Sequence, residues 1–192
     1  MSSIHKPGVT PPVPPPPPPV NPRSLVLVNT GDGKGKSTAA FGVVMRGVAR
    51  DWKVCVVQFI KSGKWKVGEE KVARGLGVDW LKGGDGFTWE SPDLDQSEGR
   101  ARAAWRLAAA SIKGGAYQLV VLDEITYPMN WGWIDGNEVV ETIRNRPDRV
   151  NIVATGRDAP AELVEVADTV TEMVKVKHAY DRGIRARRGL DF

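Results

Sequence analysis

Cysteine is almost absent: Cys55 is the only one in 192 residues. No internal disulfide and no cysteine-built metal cage can form, which fits a reducing cytoplasm. Histidine is nearly as scarce, and His178 has no second histidine or cysteine at ligand spacing, so a zinc site is unsupported. Long apolar runs are missing too. No stretch approaches the roughly 18 uninterrupted apolar residues of a membrane helix, so no membrane-spanning helix is expected. The N-terminus offers a single lysine and then prolines where a secretory signal requires an apolar core, which argues against export.

Proline is sparse except at one place. Ten of the fourteen prolines lie between Pro7 and Pro22, including the unbroken run Pro14 to Pro19. Proline lacks the amide donor and fixes φ, so this segment can build neither a helix nor an inner strand. It reads as a polyproline II or disordered leader over residues 1–22, either a plain tail or a docking site for a proline-recognising domain. The remaining residues, 23–192, suffice for one α/β domain and are too few for two. A content of 41% apolar and 26% charged residues is a globular balance. The net charge of +4 is local: Lys175, Lys177, Arg182, Arg185, Arg187 and Arg188 face only Asp181 and Asp191 in the C-terminal tail. Such a tail attracts nucleic acid, polyphosphate or carboxylates alike, and charge alone does not choose among them.

Within the domain, apolar runs alternate with helical patterns. Strands are expected at Ser24 to Asn29, Lys53 to Ile60, Val78 to Leu81, Tyr117 to Leu122, Val150 to Ala154 and Thr169 to Val174. Helices are expected at Lys36 to Arg50, Glu69 to Gly75, Asn137 to Arg144 and Pro160 to Ala167. A long helix opens at Ser91 and Pro92, favoured by Asp93 and Asp95, packs through Ala103, Ala104, Leu107 and Ala108, and stops at Gly114-Gly115. Continuous apolar strands separated by helices require a mainly parallel sheet covered on both faces, a three-layer α/β sandwich.

The strongest chemical signal is the run Thr30, Gly31, Asp32, Gly33, Lys34, Gly35, Lys36, Ser37, Thr38 between a strand and a helix. Glycines let such a loop wind so that successive N–H groups meet phosphate oxygens, and the helix adds the positive end of its dipole. Lys36 can neutralise phosphate charge and Ser37 can ligate magnesium. The generic phosphate loop has glycine where Thr30 stands, so the first glycine is displaced by one residue. Val120 to Leu122 then delivers Asp123 and Glu124 to the carboxyl edge of the sheet, where open parallel sheets bind ligands and one acid can hold magnesium. Arg157, after the strand ending near Ala154, reaches the same edge and can contact phosphate or substrate. Phe87 and Trp89 sit in a polar, glycine-rich loop and suit either a flat ligand face or a local hydrophobic plug. Trp131 and Trp133 read as packing or interface residues.

Taken together, the blocks TGDGKGKSTAAFG, VVQFIK, GFTWE, VVLDEITY, TGRDAPAELVEVADTVTEM and VKHAYDRGIRARRGLDF resemble the ATP:corrinoid adenosyltransferases of the cob(I)yrinic acid a,c-diamide type. The resemblance covers nearly everything after the leader, and the displaced glycine is part of the family pattern. It implies a P-loop, RecA-like nucleoside triphosphate hydrolase fold. The implied reaction is transfer of the 5′-deoxyadenosyl group from ATP, lying reversed in the loop, to Co(I) of a corrinoid, with loss of triphosphate, in adenosylcobalamin synthesis or salvage. On this reading Gly31, Gly33, Lys34, Gly35, Lys36, Ser37 and Thr38 hold the triphosphate, and Ser37 and Glu124 bind Mg2+. Phe87 and Trp89 displace an axial cobalt ligand, and Arg157 lies near nucleotide or corrinoid. Relatives imply a homodimer and an external reductant such as a reduced flavin or flavodoxin. A P-loop NTPase or kinase would use the same loop but release phosphate or ADP. A nucleic-acid module built on the tail would need neither loop nor acids, so no nucleic-acid partner is expected.

Overall fold

The computed structural model describes residues 24–60, 68–83 and 94–191. The leader, Lys61, Phe87, Trp89, Ser91, Pro92 and Asp93 lie outside these, as does the side chain of Asp95. In chain order the elements are β1 (Val26–Thr30), α1 (Lys36–Val48), β2 (Val54–Gln58), α2 (Gly68–Gly75), β3 (Asp79–Lys82), α3 (Leu94–Lys113) and β4 (Leu119–Asp123). Then come α4 (Thr126–Asn130), α5 (Gly136–Arg144), β5 (Asn151–Thr155), α6 (Ala161–Val166), β6 (Thr169–Glu172) and a 3-10 turn at Ala179–Arg182.

The six strands form one sheet in the order β3-β2-β4-β5-β1-β6, and every pairing is parallel. Successive side chains on a strand face opposite ways, and the core divides accordingly. Val26, Val28, Cys55, Val57, Val120, Leu122, Ile152 and Ala154 pack against α3, α5 and α6. Val54, Val56, Leu119, Val121, Val153 and Trp80 pack against α1 and α2. The three layers read from the apolar strands are therefore present, and the sheet is wholly parallel. Edge strand β6 ends at Glu172 rather than Val174 and is exposed throughout. Burial pushes the Cys55 thiol up to about 11, so it remains protonated and unreactive.

One element was not expected from the sequence and one expectation needed correction. Residues 126–130, to which no element was assigned, form α4. Its Pro128 falls within the first turn, where amides have no partner inside the helix, so the missing donor is harmless there. The packed face of α3 is rotated from the one expected. Ala101, Ala104, Trp105, Ala108, Ala109 and Ile112 are buried, whereas Ala103 is only partly covered and Leu107 is 37% exposed. That set recurs every three or four residues and forms one stripe. Trp105 anchors it, donating its indole N–H to Glu138 of α5 at 2.8 Å.

Ile112→Ala should therefore cost about 2–5 kcal/mol in urea denaturation, whereas Leu107→Ala should cost less than about 1 kcal/mol. Equal losses would return the packed face to the 103/107 side.

Candidate functional site

Parallel pairing puts the carboxyl ends of the strands at one edge. The register aligns Asn29 with Thr155, Gln58 with Asp123, and Thr30 with Glu172. Polarity is concentrated there. Of the buried polar residues among those described, Asn29, Gln58, Asp123, Thr126, Thr142 and Thr155, all but Thr142 lie at this edge. Burying polar groups is costly, so such a cluster marks a place where the chain serves something other than packing.

The phosphate loop leaves β1 at this edge. Gly31 (φ 92°) and Gly35 (φ 118°) take backbone conformations that disfavour other residues, and Gly35 leads directly into α1. A Cβ at Gly31 or Gly33 would also stand 2.6 Å from the carbonyl oxygen of Met173. Met173 is pinned across the loop: its N–H donates to the Thr30 carbonyl at 2.8 Å, and its carbonyl accepts from Gly33 N–H at 2.6 Å. Thr30, at the position of the displaced glycine, accepts from Ala159 N–H through its hydroxyl at 3.0 Å, tying β1 to the loop after β5.

Lys36 donates to the carbonyls of Gly31 and Gly33, each at 2.6 Å. An ammonium has three protons, so one remains for a ligand. Its pKa is lowered from the ordinary lysine value, first by burial and then by the Arg157 guanidinium; Asp32, Glu124 and Asp158 pull the other way. Lys36, Glu124, Asp32 and Arg157 thus share one electrostatic field. Arg157, half exposed, stands 3.8 Å from Asp32. Lys34 is ion-paired to Asp191, so the basic tail folds back onto the loop. Ser37 is half-buried and Thr38 exposed in the first turn of α1.

The two acids have different surroundings. Asp123 is fully buried and accepts from Gln58 Nε2 at 3.0 Å and Thr155 Oγ1 at 2.9 Å, one on each carboxylate oxygen. Glu124 is half-buried and left-handed at φ 65°, a conformation that costs about 1–3 kcal/mol in a non-glycine residue. Its N–H donates to Thr155 Oγ1 at 2.9 Å. Of the two, Glu124 is the more exposed acid, half-buried where Asp123 is fully buried. Among the described residues no three His, Cys, Asp or Glu side chains converge to cage a metal by themselves. Ser37 and Glu124 are hard oxygen donors beside a phosphate loop, a set that fits magnesium completed by phosphate oxygens and water.

Residues not singled out from sequence also belong to the edge: Thr126, Thr155, Asp158, Met173 and Asp191. The available signal for Thr155 was a polar residue closing an otherwise apolar strand. Trp131 is 49% exposed and meets Trp133 in a tilted contact at 4.5 Å between ring centroids, while Trp133 packs onto the core.

Known proteins give this arrangement a context. The family described as ATP:corrinoid adenosyltransferase BtuR/CobO/CobP matches residues 22–192. A corrinoid adenosyltransferase of Pseudomonas aeruginosa is 43% identical over 172 residues, 88% of this chain and 84% of that protein. Those of Escherichia coli K12 and Salmonella typhimurium, the latter named CobA, are 38% and 37% identical over 170 residues, each 88% of this chain and 86% of the relative. With a phosphate loop, an acidic strand end and an arginine assembled at one edge, and a match over nearly the whole described domain, the chain belongs to the ATP:corrinoid adenosyltransferase family, P-loop transferases that adenosylate corrinoids with ATP in cobalamin synthesis.

Proposed function

We propose that the chain transfers the 5′-deoxyadenosyl group of ATP to Co(I) of cob(I)yrinic acid a,c-diamide or a later corrinoid. The observation that supports this most directly is geometric: Lys36 bonds two loop carbonyls, Arg157 stands 3.8 Å from Asp32 of the loop, and Glu124 follows β4 at the same carboxyl edge. Co(I) supplies an electron pair to the 5′ carbon, the cobalt–carbon bond forms, the bond from that carbon to oxygen breaks, and triphosphate leaves with the pair. The protein's task is then to hold the triphosphate and compensate the charge that develops on it. Lys36 is already fixed by two loop carbonyls and carries a charge into the loop at little further ordering cost. The loop amides and the N-terminus of α1 add fixed partial positive charge. Gly31, Gly33, Lys34, Gly35, Ser37 and Thr38 line the same path, with Arg157 beside it. Magnesium held by Ser37 and Glu124 would supply further neutralisation of the leaving group.

Phe87 and Trp89, outside the described residues, are assigned to the corrinoid side, where displacing an axial ligand makes Co(II) easier to reduce. The buried, protonated Cys55 is unsuited to redox work, so the electron is assigned to an external reduced flavin or flavodoxin. A homodimer and a cytoplasmic location complete the proposal, with Trp131 an exposed aromatic available for an interface.

Lys36→Ala should leave the thermal midpoint nearly unchanged while weakening ATP binding by about 10- to 100-fold, the worth of a charge-assisted contact, as read by calorimetry. Equal ATP affinity and turnover in the folded variant would remove Lys36 from the site.

Phe87→Ala or Trp89→Ala should impair adenosylation more when Co(II) corrinoid must be reduced on the enzyme than when chemically generated Co(I) is supplied. An equal fall in both anaerobic assays would assign these aromatics to general binding or packing.

Deleting Met1 to Asn21 should leave turnover and thermal midpoint nearly unchanged, because that segment has one charged side chain and little apolar surface beyond its prolines. Sedimentation of the shortened protein should report twice the chain mass. A monomer at micromolar concentration would defeat the dimer, and a large rise in KM for either substrate would make the leader part of the site.

A further inference from the structure

Two threonines join the ends of β4 and β5 in opposite directions. Thr155, fully buried, gives its single hydroxyl proton to Asp123 Oδ1 at 2.9 Å and accepts the Glu124 N–H at 2.9 Å. Thr126, equally buried, donates to the Arg157 carbonyl at 2.6 Å. The strand ends lie close. Gly156 has φ 146°, and a Cβ there would collide with Thr126 Oγ1. Behind Thr155 the chain of contacts continues: Asp123 Oδ2 takes Gln58 Nε2 at 3.0 Å, and the Asp123 carbonyl takes Phe59 N–H at 3.1 Å. Both carboxylate oxygens of Asp123 are thereby occupied by buried, uncharged donors, and Asp123 faces the protein rather than a ligand.

What this network holds is the backbone of Glu124. A glutamate at φ 65° is in a sparsely populated conformation, and its side-chain direction depends on staying there. The Thr155 hydroxyl fixes the Glu124 amide, and its own orientation is fixed by Asp123, because one proton cannot serve two acceptors. We infer that Thr155 is a positioning residue: through the Gln58, Asp123, Thr155 relay it holds Glu124 in the left-handed conformation that aims its carboxylate at the metal of the nucleotide complex. This rests on the proposed metal role of Glu124. Thr155 touches neither substrate nor metal in this account.

The test uses the full chain without corrinoid, so that ATP is bound but not consumed. Binding is measured by calorimetry in EDTA and across a magnesium titration, for the parent, Thr155→Val, Thr155→Ser, Thr126→Val and Glu124→Gln. Thr155→Val should bind ATP in EDTA within about twofold of the parent, yet need at least about tenfold more magnesium for half-maximal enhancement of binding, a shift of the size lost with one well-placed supporting contact. Thr155→Ser, which keeps the hydroxyl, should restore the parent value to within about threefold. Thr126→Val removes an equally buried hydroxyl, one that donates to the Arg157 carbonyl, and should leave the magnesium midpoint in place even where it lowers stability. The same magnesium dependence in Thr155→Val and parent, with Glu124→Gln shifted, would overturn the positioning role alone. An unshifted Glu124→Gln would overturn the metal reading itself. Should Thr155→Val not fold, a tenfold shift in Thr155→Cys, whose thiol is a weaker donor, decides the matter, and its absence counts against Thr155.

Discussion

A sheet whose strands all run one way must finish all of them at one edge, and it must bury them on both faces because helices make the crossovers. That constraint governs the rest of the molecule. It forces Val26, Val56, Val121 and Val153 into cores on opposite sides, and it brings Thr30, Gln58, Asp123, Thr155 and Glu172 together although they are far apart in sequence. The central strands can be almost wholly apolar until their last residues, where polarity is admitted and largely paired, as Asp123 is with Gln58 and Thr155.

Two kinds of pairing divide the labour at that edge. Uncharged donors and hydroxyls, Gln58, Thr126 and Thr155, bind backbone and the buried Asp123, and so define geometry in a place without water. Charged groups, Lys34, Lys36, Asp32 and Arg157, stand nearer solvent and are paired with the tail, with one another or with the loop itself. A polyphosphate brings its own dense negative charge and can take over such contacts, whereas the buried network loses nothing when it arrives. Met173 adds a third support, because its backbone crosses the loop so closely that only glycine fits at two positions. These glycines answer to the protein's own packing as well as to a ligand.

Much of this was readable in advance. Apolar runs bounded by turns marked the strands to within two or three residues, and the loop motif between a strand and a helix marked the site. The order of family blocks marked the chemistry. What escaped did so for physical reasons. The face of α3 was ambiguous because alanines occupy much of its surface, and the choice between Leu107 and Trp105 depends on what stands opposite; Glu138 of α5 settled it. Helix α4 was hidden by Pro128, since a proline excludes helix interiors but not first turns, and only neighbouring structure tells which it occupies.

The amino-acid order by itself determined local matters: apolar strands, a glycine loop ahead of a helix, a proline-rich N-terminal segment, a single cysteine, and the membership that those blocks carry. Tertiary structure decided which of two adjacent acids is buried and which is half-open. Asp123 and Glu124 are chemically near-equal and sit side by side, so nothing local distinguishes them. The difference arises because Thr155 and Gln58 arrive from neighbouring strands to occupy one carboxylate and to hold the backbone of the other, a choice made by register between segments more than thirty residues apart.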